Sequence, residues 1–161
     1  MRDRTGRRPR NDAPPQETRS MVLDYLEERF GLAPETFRGF GLYLASKGRV
    51  YLGPERAIGE PRVVSVGITI ARLSGTVKPS TNLIQLFGRQ MTRNVIPLEK
   101  EEAVSYAKGE DIRLPAERLS HVTEGYVSLG YADVPLGCGM LKDGSIRNML
   151  PKAKRLGLKF I

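Results

Sequence analysis

At 161 residues, with 40% hydrophobic and 7% aromatic side chains, the chain is sized for one domain or one domain with a small subdomain, and its composition excludes a fibrous or wholly disordered protein. Its 26 lysines and arginines against 18 acidic residues leave a net charge of +8, so polyanions are the favoured partners: a nucleic acid, an anionic membrane surface or an acidic protein. One cysteine, Cys138, and one histidine, His121, exclude an internal disulfide and leave too few soft ligands for a zinc or iron site. No apolar run approaches the roughly 18 residues of a membrane span, and no secretory leader follows the basic N-terminus, so the expected location is cytoplasmic.

Residues 1–19 mix Arg, Pro and Asp with almost nothing apolar and are expected to form a disordered basic arm. Its Arg2, Arg4, Arg7, Arg8 and Arg10 are either phosphate contacts or a solvated tail. Ser20 is placed to cap a helix in which Met21, Val22, Tyr25, Leu26 and Phe30 recur near helical spacing, and Gly31 supplies the stop. Pro34 starts a further turn up to Phe37. Leu42 to Ser46 and Arg49 to Leu52, separated by Lys47 and Gly48, predict a small hairpin.

The β-branched run Val63, Val64, Val66, Ile68, Ile70 and Leu73 predicts a strand pair, with Gly67 as a bulge or bend. Lys78, Pro79, Ser80 and Thr81 read as a turn and helix cap before Asn82 to Gly88. A short strand is expected at Asn94 to Ile96, and a helix at Glu99 to Lys108 with Ala103, Val104 and Ala107 on one face. From Glu124 the pattern turns to strands: Tyr126 to Tyr131, Leu136 to Leu141 and Ile146 to Leu150, with turns at Asp133 and at Lys142, Asp143 and Gly144.

The chemistry-bearing motifs are sparse. Gly39-Phe40-Gly41 is not a dinucleotide loop, because Leu44 stands where a further small residue is wanted. Gly137-Cys138-Gly139 lies between strand-like runs and does not open a helix, so its glycines are read as points of close backbone approach. Cys138 has no neighbouring histidine to lower its pKa and is read as a packed thiol, and His121 has no evident orienting partner. The glutamates at Glu27, Glu28, Glu99, Glu101 and Glu102 read as solvated helix faces. No catalytic residue, cofactor or metal is expected.

The run GYVSLGYADVPLGCGMLKDGSIRNMLPK, Gly125 to Lys152, resembles the PUA-like RNA-binding domain that follows the catalytic domain in the Fmu/Sun family of RNA cytosine-5 methyltransferases. The resemblance lies in a strand ending in an aromatic residue, a Pro-Leu-Gly turn, a glycine-rich strand and a closing K/R-N-x-L-P. Here these are Tyr126, Pro135 to Gly137, Gly139 and Arg147 to Pro151. The stretch from Thr76 to Ile112 looks like the first half of the same domain. The catalytic Pro-Cys and Thr-Cys motifs of those enzymes have no counterpart, so the resemblance carries over no methyl transfer.

What the resemblance implies is an α+β chain, with a small α/β subdomain over residues 20–59 followed by a PUA-like mixed β-barrel with short helices over residues 60–161. It further implies a stand-alone, non-catalytic protein that recognises structured RNA, ribosomal RNA or its precursor, in ribosome biogenesis or rRNA modification. Physical reasoning on the same residues makes Lys142, Arg147, Lys152, Lys154 and Arg155 candidate phosphate contacts, with Lys78, Arg89 and Arg93 on the same surface. Asn148 either reads a base or a 2′-hydroxyl, or caps the turn before Pro151. The alternative reading is an accessory subunit that recruits a separate methyltransferase or assembly factor, docking through the amphipathic helix Met21 to Phe30. A third, an unrecognised enzyme acting on RNA, finds no acid-base pair to stand on.

Overall fold

Helix α1 spans Gln16–Phe30 and buries Val22, Leu26 and Phe30, a stripe spaced one turn apart. In this computed structural model, residues 16–55 and 67–155 are described. Residues 1–15 of the expected arm, the expected strand positions Val63, Val64 and Val66, and residues 156–161 lie outside them, whereas residues 16–19, also expected in the disordered arm, are the first turn of α1. Two expectations for α1 are corrected. Ser20 is not its cap, because Gln, Glu and Arg continue the helix upstream as good solvated helix formers. Met21 is not in its stripe but is 49% exposed.

The stop at Gly31 is as expected, with φ at +70°, a region that favours glycine. The helix end is closed by a distant segment. The backbone N–H groups of Thr92 and Arg93 both donate to the Phe30 carbonyl, at 2.9 and 3.3 Å, and the Asn94 amide donates to the Arg29 carbonyl at 2.7 Å. The last-turn carbonyls left unpaired by the end of a helix are thereby satisfied.

Four antiparallel strands follow one another as a meander: β1 Phe40–Leu44, β2 Arg49–Pro54, β3 Ile68–Ser74 and β4 Thr76–Pro79. The hairpin predicted from Leu42 to Leu52 is present, turning at Lys47 and Gly48, both at positive φ. Gly67, read as a bulge or bend, is a bend at φ +87° just before β3, and the bulge lies instead at Ile70, since Val50 pairs with Ala71 and Tyr51 with Thr69, leaving Ile70 as the extra residue. Lys78 and Pro79 belong to β4 and not to a turn, because Val77 and Pro79 face the core and Lys78 faces out. Strands from both sides of the expected boundary near residues 59 and 60 pair in this one sheet.

Helix α2, Thr81–Phe87, starts at Ser80, whose hydroxyl accepts from the Leu83 N–H at 3.3 Å as anticipated. After strand β5, Val95–Pro97, helix α3 runs Lys100–Ala107. Its first turn is tied by Glu102, whose carboxylate accepts the Glu99 N–H at 2.8 Å, and its buried residues are Ala103, Tyr106 and Ala107, with Val104 only half-buried. The remaining strands are β6 Ile112–Arg113, β7 Gly125–Tyr131, β8 Val134–Lys142 and β9 Ser145–Asn148.

These form a five-stranded sheet in the order β5-β7-β8-β9-β6, antiparallel except for β5 on β7. Both hairpins turn through two residues at positive φ, Ala132-Asp133 and Asp143-Gly144, the twist-matched geometry for such turns. The described residues hold three α-helices and nine strands in two sheets, so the chain is α+β with a barrel-like second sheet.

Two cores flank that second sheet. One face, with Val127, Leu129, Leu141 and Ile146, packs on α3 through Ala103 and Tyr106. The other packs, at Cys138, into a cluster shared with Val22, Leu26 and Phe30 of α1, with α2 and with Leu42, Val50 and Ala71 of the first sheet. The apolar stripe of α1 is therefore core, which corrects the idea that it docks a partner.

Candidate nucleic-acid interface

The second face of the five-stranded sheet is covered only at one end. Cross-strand register places Tyr126 of β7 opposite Met140 of β8, and Met140 opposite Arg147 of β9. Further along the same face, Lys142 is opposite Ser145, and Ser145 opposite Arg113 of β6. Arg113, Lys142 and Arg147 are exposed, Met140 is half-buried, and Tyr126 is half-buried at the margin of the core. Three cations and an aromatic ring thus share one pleated surface, the pairing of charge and stacking area that suits phosphates and unpaired bases.

At its covered end this surface is tied to Arg29 of α1. Its Nε donates to the Tyr126 carbonyl at 2.7 Å, its Nη1 to the Thr123 hydroxyl at 2.7 Å and its Nη2 to the Thr123 carbonyl at 2.8 Å. Partial burial lowers the guanidinium pKa, opposed by the neighbouring Tyr25 and Cys138. Burial likewise raises the Tyr126 phenol. Asn94, which is buried, completes the corner by accepting the Thr123 N–H at 2.9 Å on its side-chain oxygen.

The nine residues expected to contact RNA do not form one cluster. Lys142 and Arg147 share the face just described. Lys152 and Lys154 lie on the 3-10 turn after β9, where Lys154 donates to Asn82 at 2.7 Å and Gln85 at 3.1 Å on α2. Arg155 is half-buried: its Nε donates to the Leu150 carbonyl at 2.9 Å, and its side chain lies over Gly109. Arg89 and Arg93 are exposed on either side of Met91, with Arg89 donating to the Asp133 carbonyl at 3.3 Å and Arg93 to the Glu28 carbonyl at 3.2 Å. Lys78 lies on the other sheet.

The base-reading role considered for Asn148 is corrected. Its side chain is 8% exposed, and its amide donates to the Tyr106 and Glu110 carbonyls at 2.7 and 2.9 Å while its oxygen accepts the Leu150 N–H at 2.9 Å. Both amide hydrogens and the acceptor are engaged within the protein. It shapes the exit from β9 and ties it to the end of α3, close to the turn-capping alternative.

Cys138 is a packed thiol, buried and pushed up to about 12 by loss of solvation. The glycines beside it admit close neighbours, as expected. A side chain at Gly137 would collide with the Tyr106 hydroxyl, which donates to the Cys138 carbonyl at 2.8 Å, and one at Gly139 would strike Ile146. His121 is exposed, with Nε2 3.0 Å from the Val95 carbonyl. No group of three or more potential metal-ligating side chains occurs among the described residues. A shallow hollow of about 620 Å³, lined by Leu114, Leu119, Val122 and the Asp143-Gly144 turn, adjoins the sheet edge at Arg113.

Arg113 and Met140 were missed in the sequence because each counts only through its cross-strand partner. A two-residue strand such as β6 leaves no readable alternation. Arg29 was missed because its acceptors lie more than ninety positions away.

Residues 93–156 match the family model described as the methyltransferase RsmF PUA domain. The match takes in the five-stranded sheet, α3 and the face carrying Arg113, Tyr126, Lys142 and Arg147, so this part of the chain is PUA-like. It begins at Arg93 and so leaves the first sheet and α2 outside. A comparison with curated proteins finds no match. No described helix is long and apolar enough to cross a membrane.

Proposed function

We propose that this chain is a non-catalytic RNA-binding protein of the cytoplasm that recognises structured RNA, ribosomal RNA or its precursor, during ribosome biogenesis or rRNA modification. The carrying observation is the row Tyr126, Met140 and Arg147, flanked on the same face by Lys142 and Arg113, within the segment that matches a PUA domain. A PUA domain points to RNA as the ligand. The cations supply phosphate contacts whose strength depends on salt, and the Tyr126 edge offers a ring against which an unstacked base can lie.

The test is fluorescence anisotropy with a labelled RNA stem-loop, comparing wild type with the Lys142→Ala/Arg147→Ala double variant. The variant should bind about 1 to 3 kcal/mol more weakly, the scale of charge-assisted contacts. Wild-type affinity in the folded variant would rule out this face. Transfer of a labelled methyl group to RNA by the purified chain would overturn the non-catalytic reading.

The second reading is an accessory subunit that recruits a separate methyltransferase or assembly factor. The observation in its favour is the apolar hollow beside Leu114, Leu119 and Val122, since exposed apolar concavities suit protein partners. Co-purification that survives nuclease treatment supports it.

A further inference from the structure

The first sheet carries a row of cations of its own. Arg49 on β2 stands directly opposite Arg72 on β3, and Arg72 directly opposite Lys78 on β4. Partners in register project to the same face, so three positive side chains stand side by side across three strands, spanning roughly 10 Å at the usual strand spacing. Arg72 and Lys78 are exposed and Arg49 is half-buried. The alternate positions Val50, Ala71 and Val77 face the core, which leaves the row on the outward side of the sheet.

Like charges placed directly opposite one another in a sheet repel. A surface built only for solubility would intersperse the two signs. Among the described residues the ion pair recorded is Arg118 with Glu102, on the far side of the second sheet, and nothing acidic answers the row. Arg49 makes only long contacts, to the Ser46 carbonyl and hydroxyl at 3.4 and 3.5 Å, which leave its guanidinium free to engage an anion. Two residues along β2 on the same face is Tyr51, half-buried and paired with Thr69.

We infer that the outer face of the first sheet, through Arg49, Arg72 and Lys78 with Tyr51 beside them, is a second RNA-backbone contact surface, so that the chain grips RNA with one face of each sheet. The inference rests on the RNA reading above for its ligand, but on separate residues outside the PUA match. The aromatic ring beside the row favours a nucleic acid over a lipid surface, because a base offers it a stacking partner.

The experiment measures binding of a labelled RNA stem-loop with single-stranded flanks as a function of salt, for four proteins. These are wild type, Arg72→Ala/Lys78→Ala, Lys142→Ala/Arg147→Ala, and a charge-matched control, Lys100→Ala/Lys108→Ala, on the exposed side of α3. Thermal melting confirms that each is folded. The Arg72/Lys78 variant should bind about tenfold more weakly, and its slope of log affinity against log salt should fall by about 1.4 to 1.8, as for two lost phosphate contacts. The control should stay within about twofold of wild type.

Unchanged affinity and slope in the folded Arg72/Lys78 variant, with the Lys142/Arg147 variant weakened, overturns this inference and leaves the first surface standing. The reverse pattern sustains it and removes the other surface. Absence of RNA binding by wild type overturns both. Tighter binding of phosphatidylserine-containing vesicles than of RNA, lost on Arg72→Ala/Lys78→Ala, reassigns the row to a membrane and overturns the RNA inference.

Discussion

Arg29, on the last turn of α1, donates from Nε to the Tyr126 carbonyl near the start of β7, 2.7 Å away, and reaches Thr123 with both of its other nitrogens. One planar guanidinium thereby fixes the first helix to the PUA-like sheet, a geometry that a lysine's point charge cannot reproduce.

Arg29→Ala should destabilise the protein by about 2 to 3 kcal/mol, the upper range for hydrogen bonds to a charged group discounted for partial exposure. Arg29→Lys should recover less than half of that. Urea melts of the three proteins check this, and equal stability of all three would show the clamp to be incidental.

Gly137 faces the Tyr106 hydroxyl so closely that any Cβ must displace it. Gly137→Ala should cost about 1 to 3 kcal/mol by overpacking. Tyr106→Phe removes the obstructing oxygen together with its bond to the Cys138 carbonyl. In that background the Gly137→Ala penalty should shrink by at least half, a coupling that a double-mutant cycle reads directly.

Asn148 bonds with two carbonyls and one N–H around the end of β9. Asn148→Ala leaves those buried backbone groups unpaired and should lower stability by about 3 kcal/mol. At a temperature where the variant is still folded, its RNA affinity should match wild type. A selective loss of affinity with unchanged stability would return Asn148 to the binding surface.

Cys138 ionises near 9 when solvated, whereas burial holds the folded thiol neutral up to about 12. Unfolding therefore releases a proton in that window, so this contribution to stability is complete below pH 9 and is lost as pH rises toward 12. Burial of Tyr25 and Tyr106 raises those phenols and adds to the same alkaline loss. Cys138→Ala should show a smaller fall in melting temperature between neutral pH and about pH 10.5 than wild type. A maleimide should label the native thiol only at the rate of unfolding.

The elements were legible wherever a local rule set them. Gly31, Ser80 and the Asp143-Gly144 turn each mark their boundary because a backbone angle or a cap leaves little choice of residue. The chain's strand content from Glu124 onward was legible for the same reason. The assembly of sites was not: Arg147 and Lys142 share a face through the register of β8 and β9, while Lys154, only a few residues on, has left it for α2. Sequence proximity grouped cations that the sheet separates, and it hid the alignment of Lys78 with Arg49 and Arg72, which three neighbouring strands bring together.

The carbonyls at the end of α1 find their donors in Thr92, Arg93 and Asn94. On the ribosome, this helix emerges long before those residues exist, so its last turn begins life unclosed and open to water. Closure by so distant a segment puts a large loop-entropy step late in folding and couples α1 to a segment made well after it. Nascent chains arrested before residue 92 should therefore expose the α1 stripe, the state in which a chaperone would find the chain.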